Sequence, residues 1–158
     1  MKKLLSGGFA IFAGVVSLPA PSSLHGEQIN RVADYRQDPR YMRLFSFFSK
    51  AGSPAKNYSE VFLEAADRNQ LDWRLLPSLS FVESGGGKAA PNNNMFGWQS
   101  GKARFASLAA GIHAVGYQLA HARAYKAKSL DRLLATYNPL GNYAQRVKAV
   151  MAQIAPAQ

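Results

Sequence analysis

Between Asp38 and Ile154 the apolar residues return at steps of three and four, and the runs that carry this period are separated by Gly, Pro and Asn. No stretch alternates in the manner of a strand. A chain patterned in this way buries its apolar stripes by packing helix on helix, so an all-α fold is expected. The first strong helix is predicted over "DPRYMRLFSFFSK", with Asp38 as N-cap, Pro39 at the first helical position, and Gly52 with Pro54 as the stop. Tyr41, Leu44, Phe45 and Phe48 form its stripe. A second helix follows in "NYSEVFLEAADRNQ", capped by Ser59 and turning Val61, Phe62, Ala65 and Ala66 inward. "LDWRLLPSLSFVESGGG" reads as a third, capped by Asp72 and closed by its glycines, with Pro77 near enough to the first turn to be tolerated. Beyond it, Phe105, Leu108, Ile112, Val115 and Leu119 line a long helix in which Gly111 and Gly116 predict close packing. A short helix runs from Ser129 to the break at Pro139. The last, "GNYAQRVKAVMAQIA", buries Tyr143, Val147, Val150 and Ile154 behind an Asn142/Gln145 capping box. A further short helix is expected in "GEQINRVADYRQ".

The first 22 residues, "MKKLLSGGFAIFAGVVSLPAPS", set two lysines before an uncharged apolar run and then small residues and prolines. This is the layout of a secretory signal peptide, the alternative being an uncleaved membrane anchor. A secreted, periplasmic or cell-envelope location is expected. The chain has no cysteine, which excludes disulfides, lipid attachment through cysteine and cysteine-held metal. Charge is uneven: residues 1–84 hold ten Lys/Arg and eight Asp/Glu, whereas residues 85–158 hold nine Lys/Arg and only Asp131. A basic surface suits an anionic partner, nucleic acid or cell envelope, or else is a solvated face that aids solubility. Export and the lack of an alternating aromatic and basic stripe argue against nucleic acid.

The residues with chemical potential gather in "VESGGGKAAPNNNMFGWQSG", Val82 to Gly101. Its glycines do not make a phosphate loop, because Lys88 is followed by Ala89 and Val82 stands where the first glycine belongs. His25, His113 and His121 lack metal-ligand spacing, and no G-x-S-x-G surrounds a serine. No metal and no cofactor are expected. Glu83 lies four residues after Leu79 and seven after Leu76, on or beside the apolar stripe. Partial desolvation and a place in the last helical turn, where the dipole disfavours an anion, would both favour its protonated form, as a general acid requires. Alternatively it is a glutamate at a frayed helix end, reaching into water. Amides at Asn92 to Asn94, aromatics at Phe96 and Trp98, and Tyr137 with Asn138 suit a polar sugar ring. Equally, the asparagines cap the next segment and the aromatics are core.

In order, "LDWRLLPSLSFVESGGGK", "NNNMFGW", "RFASLAAGI" and "YNPLGNYAQRVKAVM" resemble the motifs of the bacterial peptidoglycan glucosaminidases of glycoside hydrolase family 73, in the lysozyme superfamily. The resemblance runs from about Tyr58 to Ile154. It implies a lysozyme-like helical domain over 58–156, with little or no β-lobe, behind an N-terminal helical extension over 23–57. It implies cleavage of β-1,4 glycosidic bonds of peptidoglycan glycan strands by a monomer, with Glu83 as catalytic general acid. Ser84, Asn93, Asn94, Phe96, Gly97, Trp98, Tyr137 and Asn138 would bind substrate, and Tyr137 would face the acid. The Glu-Ser and Tyr-Asn pairs are also similar to the lytic transglycosylases, which leave anhydro-sugar ends. A non-catalytic module that binds wall glycan is the remaining alternative. Family 73 often supplies a second acidic residue, but nothing acidic lies between Glu83 and Asp131.

Overall fold

The computed structural model describes residues 34–156. The expected signal peptide, and the part of the expected extension that precedes Asp34, lie outside the described residues. Among the described residues there are six α-helices: α1 Pro39–Lys50, α2 Ser59–Arg68, α3 Leu75–Ser84, α4 Leu108–His121, α5 Leu130–Tyr137 and α6 Tyr143–Ile154. There is no strand among the described residues, so the fold is all-α and no β-lobe is present there. No helix among them is long and apolar enough to cross a membrane.

Local chemistry sets the helix boundaries, at the start of α1 as expected and at the start of α4 later than expected. Asp38 accepts the Arg40 N–H at 2.8 Å, and Pro39 opens α1. Ser107 caps α4 by accepting the Ala110 N–H at 3.1 Å, so this helix starts at Leu108 and leaves Phe105 outside it. Other caps differ from expectation. Ser59 is the first residue of α2, and its hydroxyl donates to Lys56 O, because a 3₁₀ turn over Pro54–Tyr58 leads straight into the helix. Asp72 caps the turn before α3 by accepting the Arg74 N–H at 2.9 Å. Asn142 makes no side-chain cap, and the expected capping box is absent. Of the helix expected over residues 26–37, the described part is one 3₁₀ turn, Tyr35–Gln37.

α3 is the central element. Leu75, Leu76, Pro77, Ser78, Leu79, Ser80 and Ser84 are all buried, as suits a helix surrounded by others. It packs on α6 and α2, while α2 also packs on α4 and α1. Leu44 and Phe48 of α1, expected in an extension, belong to the same core as Phe62, Leu63, Leu76, Leu79, Ile112 and Val147. Tyr41, Phe45 and Val61 of the expected stripes are only half-buried. Gly116 permits the approach of α4 to α2 and α3, since a Cβ there would stand 3.2 Å from Leu76 Cδ1 and 3.7 Å from Ala65 Cβ. The Arg40 guanidinium binds both Asp38 and Asp67, at 2.6 and 2.7 Å from Nη2, and so joins the start of α1 to the end of α2. α3 and α6 run antiparallel: Tyr143 at the start of α6 meets Glu83 at the end of α3, and Ala155 just past α6 meets Arg74 just before α3.

Candidate active site

The glycines after Glu83 fix the end of α3. Gly85 and Gly86 take positive φ, and their N–H groups return to Phe81 O and Ser80 O at 2.9 and 3.0 Å. Gly86 tolerates no side chain, because a Cβ would overlap Ser53 Oγ, which itself donates to Gly86 O at 2.9 Å. Ser84 Oγ lies 3.0 Å from Ser80 O and 2.8 Å from Met95 O, and it accepts the Gly87 N–H at 2.9 Å. The helix end is thereby anchored to the loop that follows, and the base of Glu83 is held from behind.

Glu83 itself is exposed, which corrects the expected burial on the apolar stripe. Its period places it on the inward side of α3, but the helix ends there and the core does not extend over it. Its two carboxylate oxygens have different surroundings. The Tyr143 hydroxyl donates to Oε1 at 2.6 Å. Oε2 faces the bare backbone of Gly97: a Cβ at that glycine, whose φ is +60°, would stand 2.9 Å from it. Burial pushes the pKa of Tyr143 well up and the hydrogen bond to Glu83 adds to this, so the proton stays on the phenol. Burial, then the charge of Glu83, also raises that of Tyr137. The Tyr137 hydroxyl donates to Phe96 O at 2.6 Å, and its ring stacks on Tyr143 with centroids 5.9 Å apart. The tyrosine that bonds to the acid is therefore Tyr143, with Tyr137 behind it. Among the described residues Asp38, Glu60, Glu64, Asp67, Asp72 and Asp131 each pair with a basic side chain; Asp34 and Glu83 do not, and Asp34 instead caps the first 3₁₀ turn.

Two hollows open beside Glu83. One, of about 500 Å³, is lined by Glu83, Gly97, Ser100, Gly101, Tyr137, Asn138 and Pro139. The other, of about 420 Å³, is lined by Gly97, Trp98, Gln99, Ser100, Gln118, Tyr125 and Tyr137. Gly97, Ser100 and Tyr137 line both, so the two form one groove, and Glu83 is its single carboxylate among the described residues. Trp98 leans on Tyr125 and Tyr137, with ring centroids 5.8 and 5.7 Å away. No group of three or more His, Asp or Glu placed to hold a metal ion occurs among the described residues.

Of the residues expected to bind substrate, Gly97, Trp98, Tyr137 and Asn138 line the groove, although Asn138 Oδ1 already accepts the Leu140 N–H at 3.1 Å. The other four do not line the groove. Asn94 is 3% exposed and spends its whole amide on the loop: Nδ2 donates to Trp98 O and Ala103 O, and Oδ1 accepts the Trp98 N–H. Phe96 is fully buried, and Ser84 is a buried anchor. Asn93 lines neither hollow and donates to Phe105 O at 2.9 Å. Tyr143, Gln99, Ser100, Gln118 and Tyr125 were missed. Tyr143 carried a signal, since its place in the α6 stripe predicted burial near α3. The polar lining residues carried none. Comparisons with protein-family models, with curated proteins and with solved structures give no match.

Proposed function

We propose that the protein is a glycosidase that cleaves the β-1,4 bonds of peptidoglycan, with Glu83 donating a proton to the leaving glycosidic oxygen. The observation that carries this reading is a carboxylate without an ion pair among the described residues, held through Oε1 by Tyr143, with Oε2 beside Gly97 at the edge of an aromatic-walled groove. Oε2 is the oxygen that would carry the acid proton. Glu83 is exposed, and the sugar rings of a bound strand would cover it and supply the dry surroundings that proton transfer needs. The apparent N-terminal signal and the basic C-terminal half agree with an anionic cell-wall substrate met outside the cytoplasm.

The lack of a second carboxylate along the groove among the described residues favours a second reading of the chemistry. A hydrolase with two acids uses one to activate water or to attack the sugar. Here the attacking group would be the substrate's own, either the N-acetyl oxygen, with water adding later, or the 6-hydroxyl, which closes an anhydro-sugar as in a lytic transglycosylase. Digestion of purified peptidoglycan followed by mass analysis tests both. Fragments carrying an added water are expected for hydrolysis, and fragments lighter by one water for the transglycosylase. Glu83→Gln should lower their release by about 10²- to 10⁴-fold with the circular dichroism unchanged. Undiminished release would overturn the assignment of Glu83.

A further inference from the structure

Where α1 meets the end of α6, two further hollows adjoin, and they share no lining residue with the groove at Glu83. One, of about 560 Å³, opens between the start of α1, Trp73 and Ala155. The other, of about 490 Å³, is lined by Met42, Phe47, Lys50 and Ile154. Arg43 lines both, so the two make one seam. Its apolar floor is recessed: Ile154 is 5% exposed, Phe47 and Trp73 are half-buried, and Met42 at the rim is 56% exposed. Its charges are unbalanced. Arg40, Asp72 and Arg74 line the wider hollow, but Arg74 is spent on Asp72, and Arg40 on Asp38 and Asp67. Arg43 and Lys50 are exposed and pair with no acid among the described residues. They stand two turns apart on α1, about 10 Å along its axis, with Ser46 and Phe47 between them on the same face.

We propose that this seam docks an acidic amphipathic helix of another protein. Apolar side chains of that helix enter the hollows over Phe47, Trp73 and Ile154, and acidic side chains two turns apart meet Arg43 and Lys50. The spacing of the cations on α1 is the spacing that the partner repeats. Other occupants fit less well. A second copy of this chain brings few acids to match, because among the described residues every carboxylate except Asp34 and Glu83 already has a basic partner. A membrane surface is met by apolar side chains that stand out from the protein, whereas here all but Met42 lie recessed. Docking at the seam is independent of what Glu83 does.

The test selects binders to the immobilised full chain from a random peptide library displayed on phage, then titrates the recovered sequences as synthetic peptides by fluorescence anisotropy. They should be amphipathic, with Asp or Glu two helical turns apart and apolar residues between. Arg43→Glu/Lys50→Glu should bind them at least about tenfold more weakly at low salt, and Met42→Ser about threefold more weakly, both with unchanged circular dichroism. Recovery of no peptide, recovery of peptides without the acidic pattern, or equal binding by the double variant overturns the proposal. Two other results would give the seam to a different occupant and overturn it as well. One is binding of the full chain to phosphatidylglycerol vesicles that the double variant loses. The other is crosslinking of a photoreactive phenylalanine analogue placed at Met42 to residues 1–33 of its own chain or to a second copy.

Discussion

The two ends of α3 each present a carboxylate, and they are treated in opposite ways. At its start Asp72 is gripped by Arg74, Nη2 to Oδ2 at 2.6 Å and Nε to Oδ1 at 2.9 Å, and it caps the turn that leads into the helix. At its end Glu83 has, among the described residues, a single tyrosine hydroxyl on one oxygen and no cation. The helix dipole welcomes an anion at the first place and opposes one at the second. A carboxylate kept for structure is neutralised and fully bonded where the backbone favours it. One kept with an open oxygen, where the backbone disfavours it, runs against local stability, and that conflict is what a reactive group leaves in a structure.

The comparison breaks most readily at the Glu83 end. Gly97→Ala should cost about 10- to 100-fold in glycan release, because the new methyl lands on Oε2 and shifts the proposed proton donor. The fold should lose only about 1–2 kcal/mol in urea titration, since the side chain struck is free to swing away. Equal losses in activity and stability would mean that Gly97 serves the loop and not the acid. Tyr143→Phe should follow with about a tenfold drop in turnover, measured on the same substrate, as Oε1 loses its only hydrogen bond from a described residue.

At the start of α3 the expected effect is on stability. Hydrogen bonds from Arg40 hold the Asp38 carboxyl below its ordinary value of 3.8; burial pushes Asp72 up, but the hydrogen bonds and charge of Arg74 together outweigh it and hold Asp72 below that value. The unfolded chain therefore takes up protons first as pH falls. The stabilisation is fully present above about pH 4 and is lost as pH drops through the lower folded-state values. Asp72→Asn should remove about 1 kcal/mol at neutral pH and flatten the acid limb of the melting temperature against pH, with turnover unchanged; a limb as steep as in the parent protein would refute this. The smallest effect is expected in the middle of α3. Ser78 Oγ is buried without a partner among the described residues, so Ser78→Ala should raise stability by up to about 1 kcal/mol in denaturant titration.

What was legible in the sequence follows the range of the interactions. The Asp38 and Pro39 start of α1 was readable because both devices act on the next two residues. Ser59 was misread because Ser53 and Pro54, earlier in the chain, begin a turn that runs into α2. For Glu83 the helical period gave the face, yet burial depended on how far α6 and the 94–101 loop reach past the helix end. Asn94 and Gln99 are both amides in one loop. Which of them turns inward is decided by packing on Ala103 and Trp98, and residue type does not show it. Tyr143 was placed in the core by its period and proved 2% exposed, but nothing local could show that its hydroxyl would find a carboxylate 60 residues earlier in the chain.

The antiparallel pairing of α3 with α6 also sets a schedule. Ribosomes deliver the chain from its N-terminus, so α3 exists before either of the groups that α6 brings to its two ends, Tyr143 and the carbonyl of Ala155. Until that helix has been synthesised and docked, Glu83 has no hydroxyl to hold it and Arg74 lacks one of its acceptors. The proposed glycan-cutting site, built in this order, is incomplete through most of its own synthesis, and it comes into register in the same step that completes the core.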